Sequence, residues 1–437
     1  MQSLPFRAAL VLASLALAGC GGSPAPGPSD APAARNLILI SIDTLRADRL
    51  GCYGYDRDTS PELDRFARDA VRFERSYASS SWTLPSHVTL LSGLLPSTHG
   101  VDLPDLRPGR DTALLAELLR DAGWYTLART GGGWLSEDFG LDRGFLSFRA
   151  ERGDLAPALD EVRDTVLAAH GQRPFFAFVH TYDVHCPYTP GAPWDELFSS
   201  DGAAAIETEG RCGNPHFNEA GVSPAEALFL SDRYDGGIRR ADAALGAFLR
   251  ELEHAGVLAD TIIAITSDHG EEFLEHGSIG HEGKLYSELL HVPLLLRVPG
   301  VAPRVVADVV GHERLLPTLL DLLGVAPPES LDGASLRPLL HGASEARVAY
   351  AELAWNAELR SWIRGDLHLV ADGDGAVELY DLASDPREER NLAATDPARG
   401  EALLAELLRE APAGTARQPA AALPRPETEQ RIQNLGY

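Results

Sequence analysis

The chain has 437 residues, of which 44% are hydrophobic and 23% are charged, and its formal net charge at pH 7 is −26. These proportions are ordinary for a globular protein and argue against a largely disordered chain. Nucleic-acid binding needs clustered lysine and arginine to neutralise phosphates, so the acidic excess argues against nucleic acid as a partner.

The N-terminal residues are typical of an export signal. An apolar run over residues 8–18 ends shortly before Cys20. The run is too short to cross a bilayer but fits the core of a secretion signal. The letters LAGC resemble the bacterial lipobox, in which the cysteine becomes the lipid-modified first residue of the mature protein. An ordinary signal peptide with a chance cysteine is the alternative.

We therefore predict a lipoprotein signal peptide over 1–20 and a flexible linker over 21–35, which is rich in Gly, Pro, Ser and Ala. This predicts a location in the cell envelope, on the periplasmic or extracellular face, with the membrane bound through a lipid on Cys20. Three further cysteines follow. Cys186 and Cys212 flank a loop-like stretch and are candidates for a disulfide, which would leave Cys52 buried and free.

The body of the chain alternates predicted strands and helices. Short, nearly continuous apolar runs at Leu37–Ile42, Pro174–Val179 and Thr261–Thr266 are typical of strands covered on both faces. Segments with helical spacing of apolar residues, closed by glycines, lie between them. The alternation predicts an α/β fold with a doubly wound, mostly parallel sheet.

Three regions follow the linker. Residues 36–340 are predicted to form the catalytic domain. Residues 341–410 show short alternating segments around Asp/Gly turns and then an amphipathic helix, which predicts a small antiparallel α+β subdomain. Residues 411–437 are expected to be a loosely ordered tail.

Polar side chains follow the predicted strands where the strands end. In such sheets the functional site lies beyond the carboxyl ends of the strands, so these residues are expected to gather there. The residues concerned are Asp43, His180, Asp183, His185, Asp268 and His269.

The stretch SSSWTLPSHVTLLSG presents Thr83 at the start of a predicted helix. A capping role is one reading, because Ser and Thr cap helices and proline fits the first turn. The functional reading makes Thr83 a nucleophile at a helix N-terminus, where backbone N–H groups favour an anionic ligand.

A divalent cation resolves the weak nucleophilicity of a threonine hydroxyl, because coordination activates it. Asp43 and Asp268 offer oxygens, His269 offers a nitrogen, and Thr83 adds its hydroxyl. This set suits Mn²⁺, Zn²⁺ or Mg²⁺ better than an all-oxygen Ca²⁺ cage, although Ca²⁺ is retained as a candidate.

Further basic residues are candidates for substrate contacts. His185 and His281 are expected to bind the non-bridging oxygens of a tetrahedral phosphorus or sulfur centre or to protonate the leaving group. Lys284, the sole lysine, is a candidate substrate-binding residue. His180 and Asp183 are weaker candidates as ligands of a second metal, and His276 is a weaker catalytic candidate.

Together these segments resemble the sulfatase family of the alkaline phosphatase superfamily. The segments NLILISIDTLRADRLGCYGY, SSWTLPSHVTLLSGLLPSTHGV, HTYDVHCPY, TSDHGEEFLEHG, GHEGKLYSELLHVPLLLRVPG and ELYDLASDPREERNLA occur in the family's order. The resemblance runs from about Asn36 to Ala394. It implies the alkaline phosphatase-like fold and a metal-dependent ester hydrolase.

The chain departs from the family at the nucleophile. The sulfatase signature is C/S-x-P-S-R, whose first residue becomes formylglycine, whereas this chain has Thr83 there and His87 in place of the arginine. Threonine cannot be converted to formylglycine. T-L-P-S-H is similar instead to the T-x-P-x-H signature of nucleotide pyrophosphatase/phosphodiesterase relatives, which implies an unmodified threonine nucleophile. His87 is predicted to be a catalytic residue.

Other departures affect the expected ligands. The paired aspartates of sulfatases are Asp43-Thr44 here, the GKW segment has Gly133 in place of its lysine, and His281 stands where a lysine is common. The resemblance implies Asp43, Asp268 and His269 as metal ligands and places His185 on the oxyanion side. A clear second zinc site is not matched, which leaves one or two metals open.

The sequence thus predicts a lipid-anchored hydrolase in which Thr83 attacks a phosphate mono- or diester, or a sulfate ester, of a small molecule, glycan or lipid. Three alternatives stay open: a sulfuric ester hydrolase that acts without formylglycine, a phospho-group transferase, and a non-catalytic glycan-binding lipoprotein.

Overall fold

The computed structural model describes residues 34–151, 153–207, 221–281, 283–412 and 416–435. The predicted signal peptide, nearly all of the linker, Cys20 and Cys212 lie outside these residues. In the described part of the chain, no helix has both the length and the apolar character needed to span a membrane.

The strands and helices follow one another as the apolar runs predict. The strands are β1 Asn36–Ile42, β2 Val71–Tyr77, β3 Leu106–Arg107, β4 Tyr125–Thr130, β5 Ser147–Ala150, β6 Phe175–Thr181, β7 Thr261–Thr266, β8 Glu272–Phe273, β9 Ile279–Gly280, β10 Leu294–Arg297, β11 Arg304–Gly311, β12 Val348–Leu353, β13 Leu359–Arg364, β14 Leu367–Asp372, β15 Val377–Asp381 and β16 Ala420–Ala421. The α-helices are α1 Pro61–Ala67, α2 Thr83–Ser92, α3 Pro96–His99, α4 Leu115–Asp121, α5 Leu155–Ala169, α6 Pro224–His254, α7 Ser287–Leu290, α8 Leu315–Leu323, α9 Arg337–Leu340, α10 Pro397–Glu410 and α11 Pro426–Leu435.

Eight strands form the central sheet in the order β11-β2-β10-β7-β1-β6-β4-β5. Strand β1 pairs in parallel with β6 and β7, and β10 runs antiparallel to β7 and β2. The predicted doubly wound, mostly parallel α/β sheet is therefore confirmed. Because β1 lies inside the sheet, its carboxyl end has neighbouring strand ends on both sides.

Both faces of the sheet are covered by apolar layers. Side chains alternate across a strand, so Leu37 and Leu39 of β1 pack in one core, whereas Ile38 and Ile40 pack in the other. This explains why β1 reads as a continuous apolar run rather than an alternating one.

A second sheet, β12-β13-β14-β15, is antiparallel throughout. Helix α10 packs on it through Leu407, which shares a core with Trp362, Leu369 and Leu379. The predicted small antiparallel α+β unit is thus present after the main sheet, and its boundaries stay a prediction.

The tail differs from the expectation of loose order. Within the described residues 416–435, β16 pairs with β3, and α11 buries Ile432 and Leu435. The Arg431 guanidinium also donates a hydrogen bond to the carbonyl of Ala150 at 2.8 Å. Ile432 and Leu435 are the buried apolar residues of α11, a pattern too sparse to predict an amphipathic helix from the sequence.

The described residues include two of the three cysteines that follow Cys20, and Cys52 is less buried than predicted. Cys186 is disulfide-bonded, and Cys52 is free and half-buried. The predicted partner Cys212 lies outside the described residues, so the identity of the pair stays a prediction.

Candidate active site

Four buried side chains meet at the carboxyl edge of the central sheet. Asp43 follows β1 directly, and Asp268 and His269 follow β7 after one intervening serine. Thr83 is the first residue of α2. Because β1 and β7 are parallel neighbours, their carboxyl ends place these residues side by side. All four are inaccessible to solvent.

The distances match a single small site. The Thr83 hydroxyl lies 3.4 Å from Oδ2 of Asp43 and 3.4 Å from Nε2 of His269. Nε2 of His269 lies 3.3 Å from Oδ2 of Asp268. The structure therefore brings together the four residues that the sequence predicts to share a cation.

The donor set fits a divalent cation. Oδ1 of Asp43 and Oδ2 of Asp268 are buried and accept no hydrogen bond. The Nδ1 atom of His269 contacts the Gly270 carbonyl at 3.0 Å, which assigns the ring proton to Nδ1 and leaves Nε2 unprotonated. An unprotonated nitrogen and a carboxylate oxygen only 3.3 Å apart repel each other unless a cation lies between them.

The pKa values of the two carboxyl groups are shifted in opposite directions: burial alone would raise the pKa of Asp268, but the nearby His269, His87 and His180 hold it below its ordinary value. Burial, and then the nearby charge of Asp268, raise the pKa of Asp43 well above its ordinary value. A cation ligated by both groups would remove this cost by stabilising the two charged forms. Two carboxylate oxygens, one imidazole nitrogen and one hydroxyl are suited to Mn²⁺, Zn²⁺ or Mg²⁺.

His180 joins this group from the end of β6. Its Nε2 lies 3.0 Å from Oδ2 of Asp43, and its Nδ1 lies 3.4 Å from the backbone nitrogen of Gly131. The sequence marked His180 only as a weaker candidate for a second metal. Its place after a buried strand was the available signal.

His87 is buried next to Thr83 and Asp268, with its Nδ1 3.4 Å from Oδ2 of Asp268. Its Nδ1 contacts the carbonyl of Thr83 at 2.8 Å, one helical turn back, and its Nε2 contacts the hydroxyl of Ser41 at 3.0 Å. The ring is inaccessible to solvent. This geometry favours a supporting role over the direct catalytic role that the sequence predicts for His87.

His185 and His281 are buried beside the same group of side chains. The His185 Nε2 is 4.0 Å from Oδ1 of Asp43, and the ring centroids of His281 and His269 are 4.4 Å apart. Nδ1 of His281 contacts Glu271 at 2.9 Å. Burial lowers the pKa values of His185, His269 and His281 to about 4 each, which favours the neutral imidazoles.

Glu271 is a site residue that the sequence reasoning missed. It is fully buried and burial raises its pKa to about 7. Its carboxylate fixes the ring of His281 through Nδ1, an arrangement that orients the other nitrogen. The available signal was its position two residues after His269.

Lys284 is placed differently from the expectation. Its ammonium donates to Glu272, to the carbonyl of His276 and to Ser278, each at 2.7 Å. Three acceptors match the three N–H donors of a lysine. This geometry does not favour the substrate-binding role predicted for Lys284.

Two weaker candidates also serve structural contacts. Asp183 accepts hydrogen bonds from the Leu155 backbone nitrogen at the start of α5. His276 contacts Glu288 at 2.6 Å and stacks on Tyr286 with ring centroids 3.6 Å apart. Neither residue belongs to the two described groups of His, Asp, Glu and Cys side chains that are close enough to hold a metal.

Gly133, which stands where sulfatases have a lysine, has little space for a side chain. A Cβ atom on Gly133 would lie 2.8 Å from a methyl group of Leu435 in α11 and 3.3 Å from the hydroxyl of Tyr182. Gly133 also has a φ of +59°, which disfavours any residue with a side chain. The end of the described chain thus occupies the space beside this loop.

Comparisons with known proteins agree with this fold. The family model described as Sulfatase matches residues 35–325. The N-acetylglucosamine-6-O-sulfatase of Bacteroides thetaiotaomicron is 24% identical, over 90% of this chain and 88% of that protein. Arylsulfatase A of Homo sapiens is 26% identical, over 82% of this chain and 83% of that protein. The crystal structure of the phosphonate monoester hydrolase of Agrobacterium radiobacter has a TM-score of 0.70 at 23% identity, over 86% of this chain and 95% of that one, which establishes the shared fold.

Proposed function

We propose that this chain, which belongs to the sulfatase family and is a sulfuric or phosphoric ester hydrolase, uses the unmodified hydroxyl of Thr83 as its nucleophile and acts on phosphate mono- or diesters. The observation that carries the proposal is the position of the Thr83 hydroxyl, 3.4 Å from both Asp43 and His269 at the N-terminus of α2. A hydroxyl in this position points to nucleophilic catalysis at an anion-binding edge.

The preference for phosphorus rests on the chemistry of the nucleophile. A formylglycine nucleophile requires a cysteine or serine precursor, and neither occupies position 83. The similarity of T-L-P-S-H to threonine-using phosphodiesterases supports phosphate esters, as does the fold shared with a protein described as a phosphonate monoester hydrolase. Relatives described as sulfatases keep sulfate esters as the competing substrate class.

The residues divide the reaction among them. Thr83 Oγ1 forms a bond to the phosphorus while the bond to the leaving alcohol oxygen breaks, and water then hydrolyses the ester formed on the threonine. The α2 N-terminus, together with His185 and His281, whose ring centroids lie 5.2 Å apart, would contact the non-bridging oxygens or the leaving group. Asp43 and His269 hold the hydroxyl in place.

Asp43, Asp268, His269 and Thr83 would hold the divalent cation. When bound, such a cation lowers the cost of ionising the hydroxyl and offsets negative charge on the reacting group. His87 keeps the first turn of α2 against β1 through Thr83 and Ser41, and so keeps the hydroxyl at the sheet edge.

The location of the enzyme is part of the same proposal. The lipobox-like residues before Gly21 support a lipid anchor on Cys20 and action at the cell envelope, where glycan and lipid esters are available substrates. Metabolic labelling with an alkyne-modified fatty acid, compared between the full chain and Cys20→Ala, tests this. Loss of label in Cys20→Ala is expected, and equal labelling of both would contradict the anchor.

A substrate panel tests the reaction. Purified protein loaded with Mn²⁺ or Zn²⁺ is assayed with 4-nitrophenyl phosphate, bis(4-nitrophenyl) phosphate and 4-nitrophenyl sulfate, and the peptide containing Thr83 is examined by mass spectrometry. Turnover of a phosphate ester above the sulfate ester, with Thr83 unmodified, is expected. Preference for the sulfate ester would reverse the substrate assignment, transfer to an added alcohol above transfer to water would indicate a transferase, and no turnover would indicate a binding protein.

A further inference from the structure

The hydrogen bonds of His180 determine which of its ring nitrogens carries the proton. The backbone N–H of Gly131 points at Nδ1 over 3.4 Å, and a backbone N–H can only donate. Nδ1 therefore accepts and carries no proton. The proton of the neutral ring then lies on Nε2, which is 3.0 Å from Oδ2 of Asp43.

The surroundings prevent the ring from flipping to exchange these roles. His180 lies between two perpendicular aromatic contacts, to His87 with centroids 5.0 Å apart and to Tyr182 with centroids 4.6 Å apart. Only 2% of the residue is exposed to solvent. A flip would leave the Gly131 N–H facing a carbon atom and would remove the donor from Asp43.

We infer that His180 is a positioning residue that donates a hydrogen bond to Asp43 and is not itself a ligand of the cation. The inference rests on the proposed function, since it concerns the cation of that site. Oδ2 of Asp43 is occupied by His180 and Thr83, and this orientation leaves Oδ1 buried without a hydrogen bond, as a metal-ligating oxygen requires. A donor behind a ligating carboxylate fixes its orientation and raises metal affinity.

The adjacent cluster of His87, His180 and Asp268 does not bind a second cation on this assignment. Ligand atoms of His87, His180 and Asp268 lie within 4.8 Å of one another, close enough to hold a metal. The Nδ1 of His87 donates to the Thr83 carbonyl, because a carbonyl can only accept, and its Nε2 accepts from the hydroxyl of Ser41. Both histidines are thus engaged in hydrogen bonds, and this cluster supports the cation site beside it.

Two substitutions separate a donor from a ligand. His180→Gln keeps an N–H that can donate to Asp43, whereas His180→Leu removes it at similar volume. Binding of Mn²⁺ to the metal-free full chain is measured by isothermal titration calorimetry, with the bound equivalents counted by elemental analysis. Apart from the site, His170 contacts Asp260 over the same 3.0 Å, so His170→Leu is the matched control.

A positioning role predicts that both His180 variants bind as many equivalents as the wild type, that His180→Leu weakens Kd by about 10- to 100-fold, and that His180→Gln stays within a few-fold. His170→Leu is expected to match the wild type. Equal affinity of His180→Leu and wild type, or a Gln variant as weak as the Leu variant, would overturn the inference. A wild-type chain that binds none of Mn²⁺, Zn²⁺, Mg²⁺ and Ca²⁺ would instead overturn the proposed function. If His180→Leu does not fold, as judged by circular dichroism, a tenfold or greater loss of affinity in His180→Gln would still overturn the inference, and an affinity within a few-fold of wild type would support it.

Discussion

Replacing Thr83 with valine removes one oxygen atom from the centre of the proposed site and keeps the shape of the side chain. The hydroxyl makes long contacts of 3.4 Å to Asp43 and His269. Asp43 Oδ2 keeps its hydrogen bond from His180, so it is not left without a donor. The free energy of unfolding of the metal-free protein is therefore expected to fall by only about 1 kcal/mol, the ordinary cost of one lost hydrogen bond.

The expected effect on catalysis is much larger. Loss of the nucleophile should lower kcat by about 10³-fold or more, which corresponds to roughly 4 kcal/mol of transition-state stabilisation at 1.36 kcal/mol per factor of ten. Thr83→Ser is the control, because it keeps the hydroxyl and removes only a buried methyl group. We expect it to retain activity within about 100-fold of the wild type, since helix α2 still presents an oxygen at the same place.

Steady-state hydrolysis of a 4-nitrophenyl ester that the wild type cleaves measures both variants, and urea denaturation measures their stability. Stability and activity are thus separated. If Thr83→Val kept more than a tenth of the wild-type kcat while unfolding normally, Thr83 would not be the nucleophile and the reading of this site would fail.

Three further outcomes are expected. Removing the cation with a chelator should abolish activity. Mn²⁺ added at a hundred times its Kd should stabilise the protein by about 2.7 kcal/mol in thermal or urea unfolding. Asp43→Asn should remove this stabilisation, and its presence in that variant would contradict the ligand assignment. Gly133→Lys, which restores the sulfatase lysine, should lower the free energy of unfolding by about 1–3 kcal/mol, because position 133 has a positive φ and its side chain would contact Leu435. The double variant with Leu435→Ala should recover part of this loss, and purely additive effects of the two substitutions would argue against the contact. Burial lowers the pKa of His99 to about 3, so between pH 6.5 and pH 3 the unfolded chain binds a proton that the folded chain does not. The free energy of unfolding therefore falls by about 1.4 kcal/mol for each pH unit that the pH is lowered in this range. The difference in the free energy of unfolding between wild type and His99→Gln, from urea titrations at pH 7 and pH 5, should change by about 2 kcal/mol, and no change would refute the shift.

The class of fold and the main candidate residues of the site can be predicted from the sequence alone. Continuous apolar runs such as Leu37–Ile42 require cover on both faces of a sheet, and a parallel sheet collects the residues after its strands at one edge. For that reason the sequence predicts that Asp43, Asp268 and His269 lie together with Thr83, and the structure brings the four side chains together.

The roles of the neighbouring side chains can be assigned only from their contacts in the folded chain. The sequence pattern marks His87 and His180 as polar residues near the strand ends, but the structure gives the partner of each ring nitrogen. It also shows Lys284 held by three acceptors and Glu271 buried against His281.

Secondary-structure patterns are local in the sequence, whereas side-chain contacts join residues that are far apart in it. Strand and helix patterns depend on neighbours a few residues away, so they can be read along the chain. Hydrogen-bond partners, burial and protonation depend on groups brought together from distant positions, such as Thr83 and His269, which are 186 positions apart. Local pattern therefore placed the residues at the sheet edge, whereas folding assigned their roles.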